Sequence, residues 1–353
     1  MSFTNSSLKT FRQCPRKYYI KYECGIGKVS TSPSFLRIGS AIHAALENYL
    51  ISSNKNKGTE ALEQSLRAEW CLAEDSEIRD TIMYEMPYVT AMYNYYIDRW
   101  QNHPLETSKT EVQLSHQGVF IKCDGIGKMP ESMMMPERMV NIEHKTVSKA
   151  IDITDYTTNL LLDSQVNIYT DILRKCGYPI LTTLYDIIVK PPFKVKNIAI
   201  TDEDGIPIIT DESGERVRNK NGSWKTMPNS TKGWIAKERR ETHNEFYLRI
   251  LSELSDENYV RLEVTRTEEQ LEATREEMLD TILDIYGCQD RGFWRRNTEN
   301  CLNHFGGRCP YYHLCCADRT DFTYPPEGFE KLANPHVELD LDNEGNLITG
   351  EQL

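Results

Sequence analysis

Five residues near the middle of this 353-residue chain have the types and spacing of a hydrolytic centre. Asp124 closes the strand-like run Val119-Phe-Ile-Lys-Cys-Asp124, and Gly125 lets the chain turn after it. Glu143 and Lys145 lie in Met139-Val-Asn-Ile-Glu-His-Lys145, which reads as a strand. Side chains two apart share a face, so the carboxylate and the ammonium point into one site, while Val140, Ile142 and His144 point the other way, into packing. Gln165 and Tyr169 are four apart in a helical stretch and share its surface. Carboxylates suit hard Mg²⁺ or Mn²⁺, which prefer oxygen ligands. Such an ion binds a phosphodiester and lowers the pKa of a bound water. A lysine beside it orients the water and offsets the charge of the transition state. Taken alone, Glu-x-Lys is a common surface ion pair and Asp124 a strand end. Gln165 and Tyr169 would then be the polar margin of a helix whose apolar stripe is Leu162, Val166, Tyr169 and Leu173. The order Asp, Glu-x-Lys, Gln-x-x-x-Tyr on strand, strand and helix is much rarer and favours chemistry.

The surrounding elements must bring these residues together. Glu111–Leu114 and Val119–Asp124 read as a hairpin around Gln117-Gly118, and Met139–Lys145 as the next strand. A helix near Asp163–Lys175 ends at Cys176-Gly-Tyr-Pro179, where Gly permits a left-handed cap and Pro blocks continuation. Leu181–Val189 supplies another strand, stopped by Lys190-Pro-Pro192. Strand–strand–helix–strand order predicts an α/β fold with a mixed central sheet flanked by helices. Helical patterns dominate Ser6–Trp100, where Tyr84, Tyr88, Tyr95 and Trp100 fall at helix-core spacing. Thr267-Glu-Glu-Gln270 is a capping box opening a helix to about Tyr286. Thr201–Gly233, rich in Gly, Asp, Asn and Lys, reads as an insertion, either a mobile loop or a small hairpin. Residues 1–320 therefore form one domain, with a helical region at about 44–105 and the insertion at about 200–233; residues 321–353 form an acidic tail, flexible or loosely docked.

The formal charge of −12 does not favour non-specific nucleic-acid binding. Locally, Arg12, Arg16, Lys17 and Lys21 alternate with Tyr18, Tyr19 and Tyr22, and Lys232, Lys237, Arg239 and Arg240 surround Trp234. Basic residues interleaved with aromatics suit a single-strand channel; solvated helix faces are the plain alternative. Ten cysteines without a secretory signal point to a reducing cytosol and metal binding rather than disulfides. Three thiolates close in sequence and one distant suit a [4Fe–4S] cluster. Structural Zn²⁺ with His304 and His313, or unliganded cysteines in a packed turn, are the alternatives. No apolar run approaches the roughly 20 residues of a membrane span.

The order of the central residues resembles the PD-(D/E)xK nuclease superfamily, and within it the RecB/AddB-like branch, which includes CRISPR-adaptation nucleases and many phage exonucleases. Further segments fit from about Phe3 to Cys316: Ser6-Ser-Leu-Lys-Thr-Phe-Arg-Gln-Cys-Pro-Arg-Lys-Tyr18 looks like that branch's opening helix, and Gly39-Ser-Ala-Ile-His43 like its Gly-x-x-x-His motif. Glu143-His-Lys-Thr146, Gln165-Val-Asn-Ile-Tyr169 and Cys309-Pro-Tyr-x-x-x-Cys315 also match. The resemblance implies a restriction-endonuclease-like core and a C-terminal iron–sulfur staple held by Cys14, Cys301, Cys309 and Cys315. It implies His43 as a metal ligand beside Asp124 and Glu143, with Lys145, Gln165 and Tyr169 completing the catalytic set. From residues alone, His43 in an apolar helical stretch reads as a packed core histidine. The chain departs from the family at Cys123, where the superfamily name has Pro, and at Gly306, where the commoner form has a cysteine; Cys316 competes with Cys315. The implied activity is a metal-dependent DNA exonuclease, cytoplasmic (in the host if phage-encoded), acting on DNA ends with single strands favoured. Partners would be DNA and a separately encoded helicase or recombination protein, since no Gly-x-x-x-x-Gly-Lys-Ser/Thr loop is present. Two other classes compete: a non-catalytic DNA-end-binding or assembly module with a structural cluster, and a zinc- or iron-bearing redox or regulatory protein. No residue of the apparent site is missing, which argues against the first.

Overall fold

The computed structural model describes residues 2–132, 135–148, 153–302, 307–342 and 346–348. Thr4 opens α1 (Asn5–Gln13) with a capping box, its hydroxyl accepting from the Ser7 amide and the Ser7 hydroxyl accepting from the Thr4 amide. Extended backbone at Cys14 ends α1, and Pro15 begins α2 (Pro15–Tyr18), at a position where its missing N–H leaves nothing unpaired. Strand β1 (Ile26–Lys28) follows.

Three long helices form the next layer: α3 (Ser34–Ser52), α4 (Lys55–Leu72) and α5 (Ser76–Trp100). Ile42 and Leu46 of α3, Leu62 and Leu66 of α4, and Tyr88 and Met92 of α5 meet in one apolar cluster. The helix-core spacing of the tyrosines thus corresponds to helix–helix packing. Two constraints lock the layer. A Cβ on Gly58 would stand 2.7 Å from the Ala45 carbonyl oxygen and collide with the Tyr93 hydroxyl, so α4 crosses there only without a side chain. Arg37 of α3 grips Glu85 of α5 with two hydrogen bonds, 2.8 and 2.6 Å, and both side chains are buried.

The chain then enters β2 (Glu106–His116), β3 (Val119–Met129) and β4 (Arg138–Ser148), two antiparallel pairings. Helices α6 (Ile153–Asn159) and α7 (Ser164–Lys175) carry it across to β5 (Ile180–Lys190), parallel to β4. The insertion is neither open loop nor one hairpin. It is a zigzag of tight turns with short strands β6 (Asn197–Ala199), β7 (Ile209–Thr210), β8 (Ile235–Ala236) and β9 (Glu238–Arg240), paired β6–β9 and β7–β8. Helix α8 (His243–Glu253) leads into β10 (Tyr259–Thr265).

The central sheet therefore has the order β10-β5-β4-β3-β2, mixed, with α1, α7 and α9 (Glu268–Arg291) on one face and the α3–α5 layer on the other. Strand β10 has no counterpart in the sequence reading, because Arg261 and Glu263 obscure its alternation. Both charges are satisfied across strands, Arg261 by Asp186 and Glu263 by Arg138. Helix α9 runs to Arg291, past Tyr286, and ends where Gly292 adopts φ +59°.

Helix α10 (Tyr312–Cys316) and β11 (Phe329–Lys331) complete the described elements, and β11 pairs with β1. The two ends of the chain are joined directly. Tyr18 and Tyr19 stack on Trp294, the Arg16 amide donates to the Arg295 carbonyl, and the Thr4 hydroxyl donates to Glu338. Past β11, Leu339 is buried and Asp340 exchanges hydrogen bonds with Gln113 of β2. Among the described residues no helix is long and apolar enough to cross a membrane.

Removing one partner of a buried pair strands the other charge, at roughly 3–5 kcal/mol. Arg37→Ala should therefore lower unfolding stability by that order, read as a lower urea midpoint with an unchanged slope.

Candidate active site

The site forms where two strands part. Strands β3 and β4 pair from Met129–Arg138 as far as Gly125–Ile142, and the ladder stops there. On the other side, β2 and β3 skip one position between Thr110–Gly125 and Val112–Cys123, leaving Glu111 and Asp124 outside the ladder. Glu111 takes a left-handed backbone, φ +48°, a strain on the order of 1 kcal/mol for a side chain of that kind. Asp124 spans the fork. Its Oδ2 accepts the His144 amide at 2.6 Å, and its Oδ1 lies 3.4 Å from His43 Nδ1.

Helix α3 delivers His43. It comes close to β4 because Gly39, one turn earlier, has no Cβ, which would otherwise stand 3.3 Å from Thr146 Oγ1. Burial alone would raise the Asp124 carboxyl, but the charge and hydrogen bond of His43, with help from His144, hold it at about 2. Burial alone would lower His43, but Asp124, then Glu143 and Glu111, raise it to about 9. His43 thus faces the carboxylate rather than packing in an apolar core.

Glu143 is 3% exposed. Its Oε1 accepts from Lys145 Nζ at 2.7 Å and from Gln165 Nε2 at 3.0 Å, while its buried Oε2 has no hydrogen-bond partner. Burial, followed by the charge of Asp124, pushes Glu143 up to about 7 despite Lys145. Burial would lower Lys145, but Glu143 and Asp163 raise it above the ordinary lysine range, so it stands as an ammonium. Lys145 Nζ also lies 3.4 Å from Gln165 Oε1 and 3.7 Å from Asp163 Oδ2. Asp163 caps α7 by accepting from the Gln165 amide at 3.0 Å, which fixes the first turn. Gln165 and Tyr169, one turn apart, then reach the end of β4, where Gln165 Nε2 donates to the Tyr169 hydroxyl at 3.1 Å. Burial holds the Tyr169 phenol neutral, well above its usual range. Leu162 does not belong to the buried stripe of α7. It lies in a 3₁₀ turn before Asp163 and is 82% exposed, because the helix starts after it.

His144 points to the opposite face, into charge rather than apolar packing. Its Nδ1 lies 3.4 Å from Asp186 Oδ2, and Asp186, fully buried, also accepts from the Tyr96 hydroxyl and from Arg261 Nη2 at 3.0 Å. Burial would raise the Asp186 carboxyl, yet His144 and Arg261 hold it well below the usual range. This network ties β4, β5, β10 and α5 together directly behind the His144 amide that holds Asp124. The sequence by itself does not mark Asp186, Asp163 or Glu111 as part of the site. Asp186 had a signal, a lone carboxylate inside the apolar run Leu184-Tyr-Asp-Ile-Ile-Val189.

The structure therefore brings His43, Asp124, Glu143, Lys145, Gln165 and Tyr169 into one polar cluster. Among the described residues, no three His, Cys, Asp or Glu side chains stand together as a ready metal-holding group. The donors that fit a hard cation are the carboxylates of Asp124 and Glu143, since Glu143 Oε2 is buried with no partner and its proton affinity is raised partly by Asp124. A cation there would satisfy that oxygen and offset the repulsion. Lys145, bonded to Glu143, stands where it can orient a water or a phosphate oxygen.

Elsewhere, Cys14, Cys301, Cys309 and Cys315 line one small cavity between α1 and the C-terminal turn; Cys316 is exposed and does not line it. The Asn297 amide donates to Cys14 Sγ at 3.4 Å, and the Cys309 amide to the Cys301 carbonyl at 2.9 Å. His313 is not among the cavity's residues, and His304 and Gly306 lie outside the described residues.

A sequence model of the PD-(D/E)XK nuclease superfamily matches residues 2–316. No curated protein matches the chain.

Two outcomes follow from the geometry. Lys145→Ala should keep the fold, because Gln165 still donates to Glu143, while the cleavage rate falls by ~100-fold or more, the usual effect of deleting one transition-state donor. Circular dichroism and single-turnover kinetics check both. A carboxyl depressed in the fold stabilises above its unfolded pKa of about 4 and loses that contribution as pH falls further. Asp186→Asn should therefore be less stable at neutral pH and show a shallower loss of stability below pH ~4, read from thermal melts across pH.

Proposed function

We propose that this chain, which belongs to the PD-(D/E)XK nuclease superfamily, is a deoxyribonuclease of the RecB/AddB-like branch that hydrolyses DNA from its ends and favours single strands. Members of this superfamily are nucleases that typically use Mg²⁺ or Mn²⁺, and DNA is the substrate this membership implies. The observation that carries the reading is the buried, unpartnered Oε2 of Glu143 beside Asp124, with Lys145 2.7 Å from the other oxygen. Asp124, Glu143 and, by the family resemblance, His43 would hold the metal. When bound, the metal supplies a polarised phosphate and a more acidic water.

The chain's own residues account for the rest. Lys145, kept cationic by Glu143 and Asp163, orients the nucleophile and stabilises charge on the phosphate oxygens. Gln165 fixes Lys145 and Glu143 relative to each other and, with the neutral Tyr169 hydroxyl, offers donors to the strand being cut. His144 positions Asp124 through its backbone while the Asp186 network holds the histidine. A separately encoded helicase or recombination protein would supply unwound ends, and cysteine usage favours the cytoplasm.

A [4Fe–4S] cluster, with Zn²⁺ as the rival, would draw on Cys14, Cys301, Cys309 and Cys315, which come from both ends of the domain and line one small cavity, although among the described residues they do not stand as a ready metal-holding group. In this reading the cluster adds a staple to ends already joined by Trp294 and the β1–β11 pair.

End-labelled DNA should be degraded with Mg²⁺ or Mn²⁺ and left intact in EDTA; degradation indifferent to the chelator would sink the reading. Anaerobically purified protein should be brown, with absorbance near ~400 nm and about four irons per chain. Cys14→Ser should lose iron and melt at lower temperature while Cys24→Ser keeps both, and zinc without iron would replace the cluster with the rival site.

A further inference from the structure

The second half of the insertion between β5 and α8 is strongly basic. Residues 216–240 hold eight Lys and Arg residues and one acid, Glu238, in a protein of formal charge −12. Successive turns fold this segment back on itself. The Ile208 amide donates to the Ile200 carbonyl, Val217 to Ile209, and Lys225 to Val217, so each turn is braced by the one before it. Asp202, Asp211, Asn219 and Asn229 each cap a turn that contains or ends at a left-handed glycine: Gly205, Gly214, Gly222 and Gly233. The platform is thus built from local backbone hydrogen bonds and does not depend on a core of its own.

Two tryptophans gather the cations. The guanidinium groups of Arg216 and Arg218 lie 4.2 and 3.6 Å from the Trp224 ring centroid, and the ammonium groups of Lys225 and Lys232 lie 5.0 and 4.9 Å from that of Trp234. Arg216, Arg239 and Arg240 have carboxylate partners, in Asp202, Glu245 and Asp80. Arg218, Lys220, Lys225, Lys232 and Lys237 take part in no ion pair among the described residues. Ring faces stabilise such cations only modestly, about 0.5–1 kcal/mol at exposed sites, and leave their charge available to an anion. Crowding unpaired cations costs repulsion, which a polyanion relieves.

The platform is rooted at the catalytic end of the sheet. Strands β4 and β5 are parallel and in register from Lys145–Ile187 to Ser148–Lys190, so the chain leaves β5 for the insertion at the same end at which Lys145 stands. Its far side is anchored on the helical layer, where the Tyr84 hydroxyl donates to the Glu241 carbonyl and Arg240 meets Asp80.

The geometry points to this insertion as a DNA-backbone grip, a turn-built cationic platform that holds the phosphates of the strand running to or from the cleavage site without reading its sequence. The inference rests on the nuclease reading for its choice of polyanion. Recognition through phosphates predicts a strong dependence on salt, each contact adding roughly 0.7 to 0.9 to the slope of log affinity against log salt.

The test is fluorescence anisotropy of labelled 20-mer single-stranded and duplex DNA with the full chain in EDTA, where nothing is cut. Lys220→Glu/Lys232→Glu/Lys237→Glu should weaken binding at least ~10-fold at moderate salt and flatten the salt slope by about 2. Lys55→Glu/Lys57→Glu/Arg67→Glu on α4, with the same change in net charge, should bind within ~2-fold of the parent. Equal loss in both triple variants would reduce the effect to net charge and overturn the proposal, as would parental affinity and slope in the first. Loss of binding to vesicles of phosphatidylserine and phosphatidylcholine with DNA affinity unchanged would also overturn it, in favour of a membrane surface. If the parent cuts no DNA with Mg²⁺ or Mn²⁺ yet binds it with a slope that the first variant loses, the nuclease reading falls and the grip stands.

Discussion

One hydrogen bond organises the site: the His144 amide of β4 donating to Asp124 of β3 across a gap that the sheet ladder leaves open. Had β3 and β4 continued to pair beyond Gly125 and Ile142, the backbone groups at this level would have been consumed by the ladder and Asp124 would lie flat on a continuous sheet. Parting of the strands frees an amide, and the carboxylate occupies it. Glu143 and Lys145 then stand at the lip of the fork rather than in a closed surface. The left-handed backbone of Glu111 marks the cost, since β2 must give up one pair opposite the same aspartate.

Opposed charges, rather than apolar contacts, hold the fork. On one face the burial penalties of Asp124, His43 and Lys145 are offset by opposite charges and hydrogen bonds, whereas Glu143, beside Asp124, keeps a raised pKa of about 7. On the other, Asp186 collects Tyr96, Arg261 and His144. Buried charges tolerate little displacement, because each lost partner exposes an uncompensated charge to a medium of low polarity. Rigid helices on both sides supply the frame: α3 brings His43, α5 brings Tyr96, and α7 brings Gln165 and Tyr169. Glu143 Oε2 is one of the buried oxygens that this frame leaves without a hydrogen-bond partner, and a hard cation beside it and Asp124 would offset their repulsion.

The ends of the chain meet through contacts that need no metal: Tyr18 and Tyr19 against Trp294, β1 against β11, and Thr4 against Glu338. Cys14, Cys301, Cys309 and Cys315 line a small cavity at the same seam, beside an interface already formed without them. The insertion follows a different principle. Its turns are closed by Asx side chains and glycines, so a strongly polar sequence keeps a definite shape, and its cations remain at the surface.

Sequence by itself determined what is local. Alternation gave strand segments at Val119–Asp124 and Met139–Lys145, although β3 runs on through Gly125 to Met129 instead of turning there, the period of four put Gln165 beside Tyr169, and the Thr267–Gln270 capping box and the Gly177-Tyr-Pro179 signal fixed one helix start and one helix end. The shared face of Glu143 and Lys145 was legible for the same reason, since a strand's period is two. Tertiary structure alone decided what depends on distant partners. The strand β10 was hidden because Arg261 and Glu263 look like surface charges until Asp186 and Arg138 are seen across the sheet. The role of His144 turned on Asp186 and Arg261, brought from two other strands. Where β3 and β4 part is likewise invisible in either segment, because a ladder ends through the geometry of two strands together. Local propensity is written in neighbouring residues, whereas the placement of buried charge is settled only when the folded chain supplies its counter-charge.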